Sequence, residues 1–180
     1  MRKLSIFLLI LLLIAAAGCS RHETPVRVTP EQQKKFNSPG TNITESNNHL
    51  RQAKAFYAKD KYKQAMKHCE KAIVFNHRNW EAYYYLGLSM QKRKEYSLAI
   101  EVLYNGLKHS PENGYVKSEL HYSIGYSWEK MGHLEKAKKA YITALAFNPE
   151  NHSAQQARNR IKIEKTLENW GKKKDLPYDG

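Results

Sequence analysis

The chain has 180 residues, 41% hydrophobic and 26% charged, which suits one globular domain and excludes both an extended low-complexity protein and a string of domains. Its 30 basic residues outnumber 17 acidic ones, giving a net charge of +13 that points toward anionic partners or surfaces and away from basic ones.

Residues 1–18 read as a secretory leader. Arg2 and Lys3 form a positive start, and Leu4 to Ala17 is an apolar run of 14 residues interrupted only by Ser5. A membrane-crossing helix needs roughly 20 such residues, so a cleaved segment fits better than a permanent anchor. Ala16, Ala17, Gly18 and Cys19 then resemble the lipobox of bacterial lipoproteins, with Ala16 where that family prefers Leu. The resemblance implies cleavage before Cys19, diacylglycerol on its sulfur and acylation of its amine. Two or three acyl chains, at about 0.8 kcal/mol per buried methylene, hold a protein on a membrane almost permanently. Ser20 in the sorting position favours the outer membrane, facing the periplasm. The alternative is an ordinary signal peptide cut after Ala17 or Gly18, leaving Cys19 a free thiol. Apart from the covalent lipid no cofactor is expected, and Cys69, on an apolar helical face, is expected to be a small buried hydrophobe.

Residues 19–45 carry Pro25, Pro30, Pro39 and Gly40 among small polar and charged residues, the composition of a flexible tether. As a random coil it would reach on the order of 30 Å. A short helix over 30–36 is compatible with the same residues.

Beyond residue 45 the chain repeats itself, first after 34 residues and then after 38. Small residues recur as Ala53, Gly87 and Gly125, as Ala65, Ala99 and Ala137, and as Ala72, Gly106 and Ala144. Large ones recur as Tyr62, Tyr96 and Leu134, and helix stops as His77, Pro111 and Pro149. A glycine inside a helix costs about 1 kcal/mol relative to alanine, so Gly87, Gly106 and Gly125 require close helix approach, expected backbone to backbone. Tyr62, Tyr96, Ile73, Leu107, Leu145, Phe75 and Phe147 are expected to fill the spaces between hairpins. The pattern predicts helices over about 47–59, 62–75, 80–93, 96–109, 115–131 and 134–147. A seventh, over about 152–170, bears an apolar stripe of Ala154, Ala157, Ile161, Leu167 and Trp170. Residues 171–180 show no periodicity and are expected to be disordered.

Leu86, Gly87, Tyr96, Ala99, Gly106 and Pro111, with Ile124, Gly125, Trp128, Ala137, Tyr141, Ala144 and Pro149, resemble the tetratricopeptide repeat (TPR) signature. The resemblance implies an all-α, right-handed α-solenoid of three TPR helix pairs, at 46–79, 80–113 and 118–151, closed by a capping helix at 152–170. Three departures stand out: Gln52 for the usual Leu, His77 for the terminal proline, and an insertion at 114–117.

In such a solenoid the first helix of each pair lines a concave binding surface. By helical phase that surface carries Leu50, Lys54, Tyr57, Tyr84, Leu88, Gln91, Lys92, Tyr122, Tyr126, Glu129 and Lys130. The partner-binding set is Lys54, Tyr57, Tyr84, Leu88, Lys92, Tyr122, Tyr126 and Lys130, expected to grip a protein partner through amphipathic tyrosine rings. The alternative is that some of these tyrosines pack between helices. Leu50 and Lys54 stand where carboxylate-clamping TPR proteins carry Lys and Asn, which argues against that mode. Catalysis is not expected: there is no Gly-rich phosphate loop, nucleophile elbow or HExxH, and no two of the eight histidines share metal-binding helical spacing.

Two readings of function result. One is a membrane-anchored scaffold or assembly adaptor of pilus, secretin or cell-wall type, bound to the membrane by its lipid and to a protein partner by its groove. The other is a polyanion-binding structural protein, because the charge falls only by Arg2 and Lys3, from +13 to +11, on leader removal, and Lys63, Lys67 and Lys71 share a helix face. Nucleic acid is not an expected partner of an exported chain.

Overall fold

The computed structural model describes residues 41–174, with side chains from 43 to 163; the expected leader, Cys19 and the tether up to residue 40 lie outside the described residues, as do residues 175–180. Seven helices and no strand occur among the described residues: α1 (Thr41–Ala58), α2 (Tyr62–Phe75), α3 (Trp80–Lys92), α4 (Tyr96–His109), α5 (Gly114–Lys130), α6 (Leu134–Phe147) and α7 (His152–Lys174). Each packs on the next in sequence, and the first helices of successive pairs, α1, α3 and α5, also touch along one side, followed by α7. This is an all-α helical repeat.

The hairpin turns show how the repeat is written into the backbone. After α1, Lys61 N–H donates to Phe56 O (3.0 Å) and Asp60 N–H to Tyr57 O (3.0 Å); Glu95 and Lys94 do the same to Met90 and Gln91 after α3 (2.9 Å each), and His133 and Gly132 to Trp128 and Glu129 after α5 (2.9 Å each). This paired closure consumes the last helical carbonyls and requires one left-handed residue. Asp60 (φ 56°), Lys94 (φ 65°) and Gly132 (φ 79°) occupy that position, and only the third is glycine.

The helix starts follow a second column. Asn79, Asn113 and Asn151 accept from the backbone N–H three residues on, at Ala82, Val116 and Ala154 (3.2, 3.2 and 3.0 Å), as N-caps. Asn79 and Asn151 also reach back to the preceding pair. Asn79 Nδ2 donates to Ser46 Oγ (2.8 Å) and Asn151 Nδ2 to Ser118 Oγ (2.9 Å), tying buried serines of α1 and α5 to the starts of α3 and α7.

Several boundaries differ from expectation. The tether does not run to residue 45: α1 begins at Thr41. Ser46, fully buried, donates to Ala72 O (2.8 Å) while receiving Asn79, so the chain is already seated in the helical stack there. The insertion at 114–117 is helical, in line with the expected helix over 115–131. Four residues are about one helical turn, so α5 starts at Gly114 with one extra turn and keeps its phase. Helix α7 continues past residue 170 to Lys174, since Gly171 weakens a helix without stopping it and the lysines after it are good helix formers. Of its expected stripe, Ala154, Ala157 and Ile161 are buried, while the side chains of Leu167 and Trp170 lie outside the described residues.

The small columns are buried throughout. Gly87 and Gly125, however, do not bring backbones together, whereas Gly106 lies close to the start of α3, where an added Cβ would meet Tyr83 Cβ at 3.2 Å and Trp80 O at 3.5 Å. A Cβ on Gly87 would lie 2.6 Å from Leu103 Cγ, and one on Gly125 2.6 Å from Tyr141 Cε1, so each glycine receives a large side chain from its partner helix. The equivalent pair in the first hairpin is Ala53 with Cys69, both in one apolar cluster. Burial pushes the Cys69 thiol up to about 12, which keeps it protonated. Phe147, expected as filler, is 41% exposed, and its ring stacks on His121 (5.4 Å).

Candidate functional site

The first-helix side of the stack carries a shallow cavity of about 260 Å³ lined by Tyr84, Leu88, Gln91, Lys92, Tyr122, Ser123 and Tyr126. Its residues come from α3 and α5, one turn apart on each, so the touching of these helices sets the spacing of the two walls. Gln91 is the floor. It is buried, and its Nε2 donates to Ser123 O (2.7 Å) and Ser127 Oγ (2.8 Å). Through its amide nitrogen it ties the two helices.

Five expected residues, Tyr84, Leu88, Lys92, Tyr122 and Tyr126, thus gather around one cavity. Lys130 adjoins it, its ammonium 5.3 Å from the Tyr126 ring centroid. Lys54 and Tyr57 lie apart from the cavity lining, toward the first repeat. Lys54 pairs with Glu81 (2.5 Å) and lies over Tyr85 (5.3 Å), and Tyr57 meets Tyr85 (5.7 Å) and Tyr62 (5.5 Å) edge-on. Leu50 is not on the groove at all. It is 6% exposed and packs with Ala72 and Ala82, because a leucine is too short to reach past them where tyrosine does at the matching positions of α3 and α5.

The tyrosines are partly embedded. Tyr84, Tyr122 and Tyr57 all have hydroxyls held above the usual tyrosine value, with burial the main cause, so each remains a neutral hydrogen-bonding group. Tyr122 contacts Tyr141 (5.7 Å) and Tyr126 meets Tyr96 edge-on (6.5 Å). The ring edges and hydroxyls therefore serve both packing and surface.

Three acids border this face, each already partnered. Glu81 holds Lys54. Glu119 accepts from Asn151 Nδ2 (2.9 Å), although burial still raises its carboxyl above the usual range. Glu129 accepts from Tyr141 Oη (2.6 Å) and from Arg160 Nε and Nη2 (3.1 and 2.7 Å). The guanidinium comes from α7, so the capping helix helps to build the site. Lys92 and Lys130 stay exposed at the end nearest the turns.

Helical phase did not expose Tyr85, Ser123 or Arg160. The run Tyr83, Tyr84, Tyr85 was the available signal for the first; nothing local signals Arg160, which lies 31 residues from its partner. Among the described residues no group of three or more His, Cys, Asp or Glu side chains could hold a metal ion, and no helix is long and apolar enough to cross a membrane.

Residues 81–110, which are α3, α4 and the turn between them, match the tetratricopeptide repeat family. The whole array has the fold of TPR domains. The Arabidopsis OM64 TPR domain aligns with a TM-score of 0.63 at 18% identity, over 68% of this chain and 98% of that one. The first TPR of Spaghetti (RPAP3), solved bound to the HSP90 peptide SRMEEVD, aligns at 0.64 and 15%, over 69% and 95%. The Yersinia enterocolitica type III secretion chaperone SycD, solved with a peptide of the translocator YopD, aligns at 0.59 and 18%, over 66% and 93%. No curated protein sequence matches the chain.

Proposed function

We propose that this protein is a lipid-anchored envelope scaffold whose TPR groove holds a segment of a partner protein during assembly of a larger machine, of the pilus, secretin or cell-wall kind. The observation that carries it is the tyrosine-lined cavity between α3 and α5. Tyrosine offers large contact area at low entropic cost with a hydroxyl to spare, which suits an extended segment or a helix. The peptides named with two structural neighbours favour the same mode of use. The anchor rests on the lipobox resemblance at Cys19, and the outer-membrane, periplasm-facing location on Ser20. The reading assigns the protein no catalytic step.

The test is a pull-down from solubilised envelopes with wild type, Tyr84→Ala plus Tyr126→Ala, and Lys92→Glu plus Lys130→Glu. The second pair removes no buried ring and so separates lost binding from lost folding. Partners are expected to disappear with both pairs, and an unchanged partner set with both removes the groove from the account.

One observation favours a second reading. Lys63, Lys67 and Lys71 are exposed along α2, and none of the ion pairs among the described residues involves them. Such a row suits anionic lipid or cell-wall polymer. Binding through it would collapse as salt rises past about 0.15 M, whereas groove binding would persist.

A further inference from the structure

Each repeat sets one imidazole against one aryl ring where its first helix meets the end of its second. The pairs are His49 with Phe75 (5.5 Å, 21°), Tyr83 with His109 (6.0 Å, 26°) and His121 with Phe147 (5.4 Å, 9°). In the first hairpin a second imidazole joins the row. His68 of α2 stacks on Phe56 (5.1 Å, 26°), and its Nδ1 lies 3.2 Å from Nδ1 of His49. Phe75, His49, His68 and Phe56 thus run across the seam between α1 and α2.

The ring centroids of the two histidines are 5.4 Å apart, so the rings meet nearly end-on through their Nδ1 atoms. That is the geometry of an N–H···N hydrogen bond; two lone pairs converging on a metal would bring the centroids closer for the same nitrogen separation. The bond needs one protonated Nδ1 and one bare one. It survives while the pair is neutral, and while a single added proton makes one ring an imidazolium donor. With both rings cationic, two N–H groups and two charges face each other and no acceptor remains.

The surroundings resist that second proton. Lys71 on α2 faces both imidazoles, Lys67 faces His68, and Glu45 on α1 opposes them only at His49. Burial first, then Lys71 at His49, and His49 followed by Lys71 and Lys67 at His68, hold both histidines below the ordinary value of 6.5. The unfolded chain therefore binds more protons than the folded one below about pH 6.5, so the contribution of the pair is intact above that pH and is lost as pH falls through the lowered folded values.

We propose that the His49–His68 contact is an acid-released clasp that holds α1 against α2 near neutral pH and frees it when both rings are charged. Helix α1 is the element that can yield. Among the described residues it begins the array and packs on α2 and α3 alone, whereas α3 and α5 are packed from both sides. Lys54 and Tyr57 would leave with it. On the groove reading, which this consequence rests on, acid would thus remove the first-repeat end of the binding surface and leave the cavity between α3 and α5 in place.

Hydrogen exchange of the full chain in detergent at pH 7.5 and 5.0, corrected for intrinsic exchange, tests the clasp without any partner. Protection of α1 amides is expected to fall on the order of tenfold at pH 5.0 relative to those of α5 and α6. His68→Gln keeps a donor toward His49 without a titrating ring, and His68→Phe extends the aryl row; both are expected to keep α1 protected at pH 5.0. Equal protection of α1 at both pH values in wild type, or the same acid loss in both variants, overturns the proposal. Neither result bears on whether the groove binds a partner, which the pull-down decides.

Discussion

Gly87 and Leu103 claim one volume: a methyl group on the glycine would sit 2.6 Å from the leucine Cγ. The three hairpins solve this crossing in matched ways, Ala53 with Cys69, Gly87 with Leu103 and Gly125 with Tyr141, so the larger the side chain on the second helix, the smaller the residue on the first. Gly87→Ala should therefore destabilise by about 1 to 3 kcal/mol through overpacking, even though alanine is the better helix former by about 1 kcal/mol. In a Leu103→Cys background, which copies the first hairpin, the same substitution should turn neutral or stabilising. Urea unfolding of the four proteins of this cycle checks the change of sign.

The inter-repeat asparagines should matter unequally. Asn151→Ala removes a cap and leaves the buried Ser118 hydroxyl without its donor, a loss of about 2 to 3 kcal/mol. Asn113 caps α5 from an exposed position, and Asn113→Ala should cost about 1 kcal/mol or less. Equal thermal shifts for the two would show that the reach back to α5 contributes nothing.

Lys94 closes its hairpin in the left-handed region, where a side chain is strained by roughly 1 to 2 kcal/mol. Lys94→Gly, which copies Gly132, should stabilise by about 0.5 to 1 kcal/mol and raise the Tm by a few degrees. Asp60→Gly should gain less, because aspartate tolerates this conformation better and Asp60 also accepts a hydrogen bond from Tyr62 Oη. A fall in Tm for Lys94→Gly would contradict the account of the turn.

Export is tested at the cysteine. Cys19→Ala should leave a full-length precursor without lipid, seen as the loss of the acyl mass and retention of the leader. Normal mature protein in the membrane fraction would refute the lipobox assignment.

The repeat was legible because its small residues return at fixed offsets, and the helix spans of α2, α4 and α6 agree with the pattern to the residue. The start of α1 was not, because Thr41 to Glu45 offers no apolar periodicity and is held by Ser46 contacting residues 26 and 33 positions away. Leu50 was placed on the groove by copying the phase of Tyr84 and Tyr122, but the shorter leucine is buried against Ala72 and Ala82 where the tyrosines stay half-buried. The asparagine column could have been read, since Asn79, Asn113 and Asn151 keep the offsets of 34 and 38. The His49–His68 contact could not: helical spacing finds neighbours on one helix, and these two meet across a seam.

The acids along the tyrosine face are all engaged within the chain, Glu81 by Lys54, Glu119 by Asn151 and Glu129 by Arg160 and Tyr141. An incoming segment therefore meets ring edges flanked by the exposed ammonium groups of Lys92 and Lys130, with no unengaged carboxylate among these three acids. Selection by such a wall works through outline as well as charge: rival segments of equal charge but different side-chain outline would be told apart, and rising ionic strength would weaken only the share carried by the two lysines.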